Sequence, residues 1–246
     1  MKEIERVPAI DQWLKYGWQT FKKTKQISVL ISSFIFIATA IFFTLAIMLD
    51  GMFILYPFIA GFFLVGPLVI MGYQRVAHQL HSGVTPTISD FFKSDSSKTS
   101  GIWFLTFILS FCFFIWITDA FVIYGLYFGI EVIEMNAQLL SDPSSRESVF
   151  YYLFYSGLMG FVTAIIGFTI SVLSIPLMLH KGMDFVSAVH LSIKCVFSNK
   201  WLMAKWALFL VVSISVTLIV ALPLIIVLFP VLGFASYALY LDLGPS

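Results

Sequence analysis

Long apolar segments, separated by shorter stretches that carry the charges, set the pattern of this chain. Several reach about 20 residues, enough for a helix rising ~1.5 Å per residue to cross a hydrocarbon core of ~30 Å. They lack the two-residue alternation of a membrane β-barrel. The pattern predicts an all-α polytopic membrane protein, with residues 1–246 forming one integral membrane domain. The predicted transmembrane helices are six, at about 27–49, 52–73, 102–128, 149–179, 202–222 and 225–241.

Three amphipathic segments, 8–24, 85–95 and 184–198, each precede a pair of these spans. In the first, Trp13 and Trp18 share the apolar face and lysines occupy the other, which favours a helix lying in the membrane interface. Packing of that apolar face on protein is the alternative. In the third segment, Asp184 is placed to cap the helix N-terminus.

The order of amphipathic segment, span and second span repeats three times, which predicts a three-fold repeat. Each unit holds an even number of spans, so the copies are expected to be parallel. The second span of each unit contains a proline, Pro67, Pro176 or Pro230. We expect these prolines to occupy corresponding positions.

Composition and charge support the membrane assignment and suggest an orientation. The chain is 60% hydrophobic and 11% charged, whereas soluble domains carry about 25% charged residues. Its net charge of +1 provides no basic field for nucleic acid. The six-span scheme puts 13 of the 14 Lys and Arg residues on one side, all except Arg146. The positive-inside rule then predicts that both termini are cytoplasmic.

Several stretches resemble a bacterial family of integral membrane proteins of unknown function, whose members are often described as subunits of cytochrome c oxidase. The likeness is carried by Trp13-Leu-Lys-Tyr-Gly-Trp18, Pro57-Phe-Ile-Ala-Gly-Phe-Phe-Leu-Val-Gly-Pro67, Ile175-Pro-Leu-Met-Leu179 with the segment after Asp184, and Leu228-Phe-Pro-Val-Leu-Gly-Phe-Ala-Ser-Tyr237. It implies a location in the bacterial inner (cytoplasmic) membrane and no particular site residues. A catalytic oxidase subunit needs about twelve spans and several histidines within the membrane to hold haem and copper. This chain has about six spans and four histidines near helix ends.

Those four histidines and one aspartate are the ionisable candidates for a site. His78 and His81 are three residues apart and share a helix face, as a metal-binding pair requires, and His180 and His190 lie at the same predicted surface. No carboxylate or cysteine is spaced to complete a tetrahedral set, which favours hydrogen-bonding histidines and no metal. Asp119 is the acid inside a long apolar run and is a functional candidate for that reason. Its position, ~26 Å along the helix from Ile102, places it close to the outer interface.

Small residues line one face of the fourth span at spacings of three and four. This pattern lets another helix approach closely and is typical of helix packing, with the lining of a solute path as the alternative. The face consists of Gly157, Gly160, Ala164, Gly167, Ser171 and Ser174.

The sequence shows no phosphate-binding glycine loop, nucleophile elbow or His-Glu-x-x-His motif. We therefore predict a non-enzymatic protein without a cofactor, a structural, accessory or assembly factor of a membrane complex such as a respiratory one. Its partners would be the lipid bilayer and other membrane protein subunits. The alternative is a transporter or channel for small solutes or lipids, which the repeats and proline-interrupted helices favour. A filled apolar interior would support the first, and a polar cavity at mid-depth the second.

Overall fold

A computed structural model describes residues 10–48, 69–93, 96–129, 143–220 and 222–244, and these residues are almost entirely helical. A single 3₁₀ turn, Leu222–Leu224, precedes the last helix in this part of the chain. The helices are α1 (Ile10–Lys23), α2 (Lys25–Met48), α3 (69–81), α4 (Ile88–Phe92), α5 (Ser96–Phe128), α6 (Pro143–Ser171), α7 (Ser174–Lys181), α8 (Phe185–Ser198), α9 (Lys200–Val220) and α10 (Ile225–Leu243).

The described helices confirm a polytopic helical membrane protein. Four stretches are long and apolar enough to cross a membrane, namely Ser100–Phe128, Ser145–Lys181, Lys200–Thr217 and Leu222–Leu243. A fifth arises if α1 and α2, which meet at a bend of 97°, are counted as one broken span. The expected span 52–73 lies mostly outside the described residues, so this count is consistent with six.

Two interruptions of the described helices occur near prolines. The turn before α10 contains Pro223, which lies between the last two predicted spans. The fourth span is broken at Val172 and Leu173, between α6 and α7. Pro176 has no N–H to donate to the carbonyl of Val172, which weakens the helix at this point.

Helix α10 lies at the centre of the described structure. Nine of its residues are buried, including Phe234, Tyr237 and Leu239. Tyr73 of α3 packs edge-on against Phe234, with ring centroids 5.4 Å apart. The Tyr73 hydroxyl also hydrogen-bonds the Ser32 hydroxyl of α2 at 2.7 Å. Tyr73 therefore joins α2, α3 and α10.

The closest helix contact of α10 is with α1, at Gly17. A Cβ atom on Gly17 would collide with the carbonyl oxygen of Val231 and lie 3.1 Å from the backbone nitrogen of Ala235. Only a residue without a side chain allows the two backbones to approach this closely. Glycine at this position therefore determines how α1 crosses α10.

The two tryptophans of α1 have different environments. Trp13 is 1% exposed and packs edge-on against Trp206, with ring centroids 5.5 Å apart. Its indole N–H donates to Asp242 Oδ2 at 2.6 Å. Trp18 is 44% exposed. The expectation that both contact the interface is therefore wrong for Trp13, because α9 and α10 cover it.

Helix α4 is held by a carboxylate at its N-terminus. Asp90 accepts hydrogen bonds from the Thr87 backbone N–H at 2.8 Å and the Thr87 hydroxyl at 2.6 Å. It also pairs with the Lys93 ammonium. Lys93 first, and then the Thr87 donors, hold the pKa of Asp90 well below its usual range. The neighbouring Phe91 ring occupies the space above Gly72 of α3.

Helix α8 begins where the sequence predicts, since Asp184 accepts from the Ser187 backbone N–H at 3.0 Å. Its most buried residues are Ala188 and Ser192. Small side chains at these two positions permit the closest approach of a neighbouring helix. The Ser192 hydroxyl donates to Thr169 O at 2.8 Å and accepts from Leu173 N at 3.3 Å. A side chain inserted into the backbone ladder in this way contributes to the break between α6 and α7.

The same contact occurs twice in the structure. Gly17 and Ser192 are each the eighth residue of a 14-residue helix. Gly17 lies in the first predicted unit and meets the backbone of Val231 and Ala235, four residues apart in the second span of the third unit. Ser192 lies in the third unit and meets the backbone of Thr169 and Leu173, four residues apart in the second span of the second unit. This agreement supports the repeat hypothesis.

The prolines do not follow the register of this contact. If Thr169 corresponds to Val231, Pro176 and Pro230 lie eight residues apart, about 12 Å along a helix. Pro67 lies outside the described residues. In this register the two prolines are not at equivalent positions.

The close approach at Gly17 predicts the cost of adding one methyl group. Gly17→Ala should lower stability by about 1–3 kcal/mol, because α1 must move away from α10. The matched control is Gly157→Ala, also within a helix, where none of the described residues lies within 4 Å of an added Cβ. It should be neutral or stabilising by up to about 1 kcal/mol from helix propensity. Thermal unfolding in detergent measures both, and equal midpoints would contradict the proposed crossing.

Candidate functional site

The ends of α3, α7 and α10 meet in a cluster of histidine and tyrosine side chains. Helix α3 contributes His78 and His81, α7 contributes His180, and α10 contributes Tyr237 and Tyr240. These residues are far apart in sequence, and the packing of the three helices brings them together. Three of the four candidate histidines therefore share one site.

The cluster is organised around Tyr237, which is 1% exposed. Its hydroxyl lies 3.0 Å from His78 Nδ1, within hydrogen-bond distance. The rings of His78 and His180 stack with centroids 4.4 Å apart and an interplanar angle of 27°. His180 also meets Tyr237 edge-on at 5.3 Å. Tyr16 of α1 lies on another side of Tyr237 at 6.3 Å, so four helices contribute to the cluster.

The chemistry of the cluster follows from its exposure and spacing. His78 and His81 are exposed on one side, while Tyr237 and Tyr240 are buried on the other. Stacked imidazoles are compatible when at most one is protonated, because two positive charges 4.4 Å apart would repel each other.

The fourth histidine does not join this cluster. His190 is exposed on α8, on the side away from the buried Ala188 and Ser192. Within the described ranges, no group of three or more His, Cys, Asp or Glu side chains is arranged to hold a metal ion.

Asp119 lies on α5, in the hairpin that α5 forms with α6. It is partly exposed and ~29 Å along the helix from Ser100. Just beyond it, Tyr124 meets Tyr152 at 5.7 Å and Tyr127 stacks on Tyr151 at 6.0 Å. A layer of tyrosines is typical of the headgroup level of a membrane. The interfacial position expected for Asp119 agrees with this layer.

The small-residue face of α6 is only half covered. Gly160 lies against the Trp116 indole of α5, which donates to the Ser156 carbonyl at 3.0 Å, and Gly167 lies against Leu109. Ser174 is buried, and Ser171 is partly exposed. Gly157 and Ala164 are exposed. The face thus packs on α5 along one edge and leaves its other edge open.

Sequence patterns did not single out Tyr237, Tyr240 or Trp116. Tyr237 and Tyr240 lie three residues apart near the end of an apolar span, a spacing that placed them on one face. That signal is not specific, because aromatic residues are common near the ends of spans. Trp116 lacked even this signal, since its partner is 40 residues away.

Apolar helices packed around an aromatic interior define a polytopic α-helical integral membrane protein. A family model described as "Predicted integral membrane protein (DUF2189)" matches residues 55–180, just over half of the 246-residue chain. The chain belongs to this family, whose function is unknown. No curated protein and no solved structure matches it.

Added side-chain volume should reduce stability at the covered edge of the α6 face and have little effect at the open edge. Gly160→Ala would put a Cβ atom 2.6 Å from Trp116 Nε1 and displace the indole from Ser156. We expect a loss of about 1–3 kcal/mol in the thermal stability of the detergent-solubilised protein. Ala164→Leu, on the open edge, should change it by less than about 0.5 kcal/mol. A large loss for Ala164→Leu would show that this edge is also packed within the protein.

Proposed function

We propose that this protein is a non-enzymatic accessory or assembly factor of a complex in the bacterial inner membrane, such as a respiratory complex. It would bind a transmembrane helix of a partner subunit along the open edge of α6. The observation that carries this proposal is the notch on α6, defined by exposed Gly157 and Ala164 alongside the exposed rings of Phe154 and Phe161.

The notch has the chemistry of a helix-docking surface in lipid. Lipid tails are as apolar as leucine, so helices in a membrane associate through close van der Waals packing and not through the hydrophobic effect. No residue in the described part of the chain lies within 4 Å of the Gly157 Cβ position, so another backbone can approach it. Phe154 and Phe161, seven residues apart on the neighbouring stripe of α6, would then pack along one side of the partner helix.

The filled interior of the described bundle also supports this function. Trp13, Trp206, Tyr73, Tyr237 and Phe234 are each less than 2% exposed and occupy the space between α1, α3, α9 and α10. A filled interior suits a protein that acts through its outer surfaces.

The proposed orientation places both termini in the cytoplasm. Exposed lysines of α1, α8 and α9 lie where the short helices meet the spans, including Lys22, Lys194 and Lys200. Contacts between Trp13, Trp206 and Asp242 bring the start of α9 and the end of α10 to this level. The positive-inside rule makes it the cytoplasmic end.

Filling the notch should abolish partner binding without unfolding the protein. Gly157→Leu adds a side chain where the protein itself has open space, so thermal stability should be retained. In native gels of mild-detergent extracts, the variant should migrate without its complex, whereas the wild type co-migrates with partner subunits. Val212→Leu is the matched control, since Val212 is an exposed apolar residue of α9.

A photo-crosslinking residue distinguishes a partner from lipid. Placed at Phe161, it should form one discrete protein adduct that disappears in the Gly157→Leu background. At Leu208 on α9, it should form lipid adducts only. A reduced-minus-oxidised spectrum of the co-purified material tests whether the complex carries haem. Lipid adducts alone at Phe161, with a native-gel position unchanged by Gly157→Leu, would refute the accessory role.

The orientation has its own test. In a variant without native cysteines, Ser82→Cys should react with an impermeant thiol reagent only from the cytoplasmic side. Glu147→Cys, at the other end of the α5–α6 hairpin, should react only from outside. Labelling of both from one side would contradict the six-span topology.

A further inference from the structure

We propose that the corner between α1 and α2 is a binding site for the headgroup of an anionic phospholipid. The corner consists of Trp18, Lys22, Lys23 and Lys25. This site is separate from the notch on α6 and does not depend on the accessory role.

The bend between the two helices positions the corner at a membrane surface. The apolar helix α2 is long enough to enter the bilayer, and α1 leaves it at 97°. A helix perpendicular to a span lies along the membrane surface. The junction then lies at the level of the lipid phosphates, below the aqueous phase and above the acyl chains.

The shape of the corner is fixed by buried contacts. Thr24, at the junction, is 4% exposed. Its hydroxyl donates to the Thr20 carbonyl of α1 at 2.8 Å and lies 3.1 Å from the Ser28 hydroxyl of α2. Trp13, Gly17 and Phe21 hold the opposite face of α1 against protein. The lysines are therefore presented by a rigid frame.

The charges of the corner are concentrated and uncompensated. Lys22, Lys23 and Lys25 fall within four residues, and all three are exposed. In the described part of the chain, none of them forms an ion pair, whereas Lys93 is neutralised by Asp90. An anionic ligand at the corner would be attracted by all three charges. A zwitterionic lipid carries its own positive group, so its electrostatic attraction to the three lysines is much weaker.

Trp18 provides the apolar half of the recognition. Its ring is 44% exposed and stacks on the buried Phe21 with centroids 5.6 Å apart. Lys22 Nζ lies 5.3 Å from the Trp18 ring centroid. An aromatic ring at the headgroup boundary contacts the upper acyl chain, while a neighbouring lysine reaches the phosphate. The ring and the ammonium group thus match the two parts of one phospholipid molecule.

Quenching of tryptophan fluorescence by brominated lipid tests the site, and the difference between the wild type and Trp18→Phe isolates Trp18 from the other five tryptophans. The full-length protein is reconstituted in phosphatidylcholine vesicles that contain a minor fraction of either brominated phosphatidylglycerol or brominated phosphatidylcholine. The wild type should be quenched more strongly by the brominated phosphatidylglycerol. Each lysine beside an anionic surface contributes roughly five-fold in affinity. The preference should therefore disappear in the triple variant Lys22→Gln, Lys23→Gln, Lys25→Gln.

Two controls separate this site from general effects. The triple variant Lys194→Gln, Lys200→Gln, Lys205→Gln removes the same charge from α8 and α9, where the lysines are spread over 12 residues, and should retain the preference. Trp18→Phe should lose the differential quenching because the reporting ring is gone. Retained secondary structure and elution volume establish that each variant is folded.

Three results would overturn the proposal. Equal quenching of the wild type by both brominated lipids would show that the corner does not select anionic headgroups. Equal loss in both triple variants would show that total charge, and not this corner, attracts the lipid. Loss of the preference on adding inorganic phosphate at constant ionic strength would identify a site for soluble anions. A preference that survives phosphate and is lost only with the corner lysines would support the lipid site.

Discussion

The close crossing of α1 over α10 at Gly17 is the constraint on which the rest of the described packing depends. Because Gly17 has no side chain, the two backbones meet at Val231 and Ala235. This approach carries Trp13 to Trp206 and Asp242, and it brings Tyr16 beside Tyr237. The absence of a side chain at Gly17 thereby allows α1 to pack directly against α10 at the centre of the described structure.

A different principle governs the α5–α6 hairpin. Its small-residue face is divided, with Gly160 against Trp116 and Gly157 open to the surroundings. The covered edge packs against α5, and the open edge is expected to add little to the stability of the protein alone. Such a division lets one helix serve folding and association through adjacent residues. Mutational effects on stability and on association are therefore separable.

Helix α1 also has two distinct surfaces. Trp13 and Phe21 are buried against protein, while Trp18 and Lys22 remain at the outer surface. The covered face makes the exposed one rigid, which reduces the entropy lost when a lipid is bound. The His78–His180 stack lies on neighbouring helices at the same end of α10. The histidine cluster and the proposed lipid corner are thus carried by neighbouring helices of the described structure.

Local sequence determined the helical membrane class, most helix positions and the capping role of Asp184, because apolar length, periodicity and capping chemistry involve residues close together in the chain. It also indicated that Gly160 and His78 lie on faces suited to packing or binding. Only the tertiary structure decided that Trp13 is buried while Trp18 is exposed, and that Tyr237 gathers His78 and His180. Those outcomes depend on which helix faces meet, and each contact joins residues that are distant in sequence. Periodicity in the sequence identifies which residues share a helix face. The fit of side chains between helices decides which other helix that face packs against.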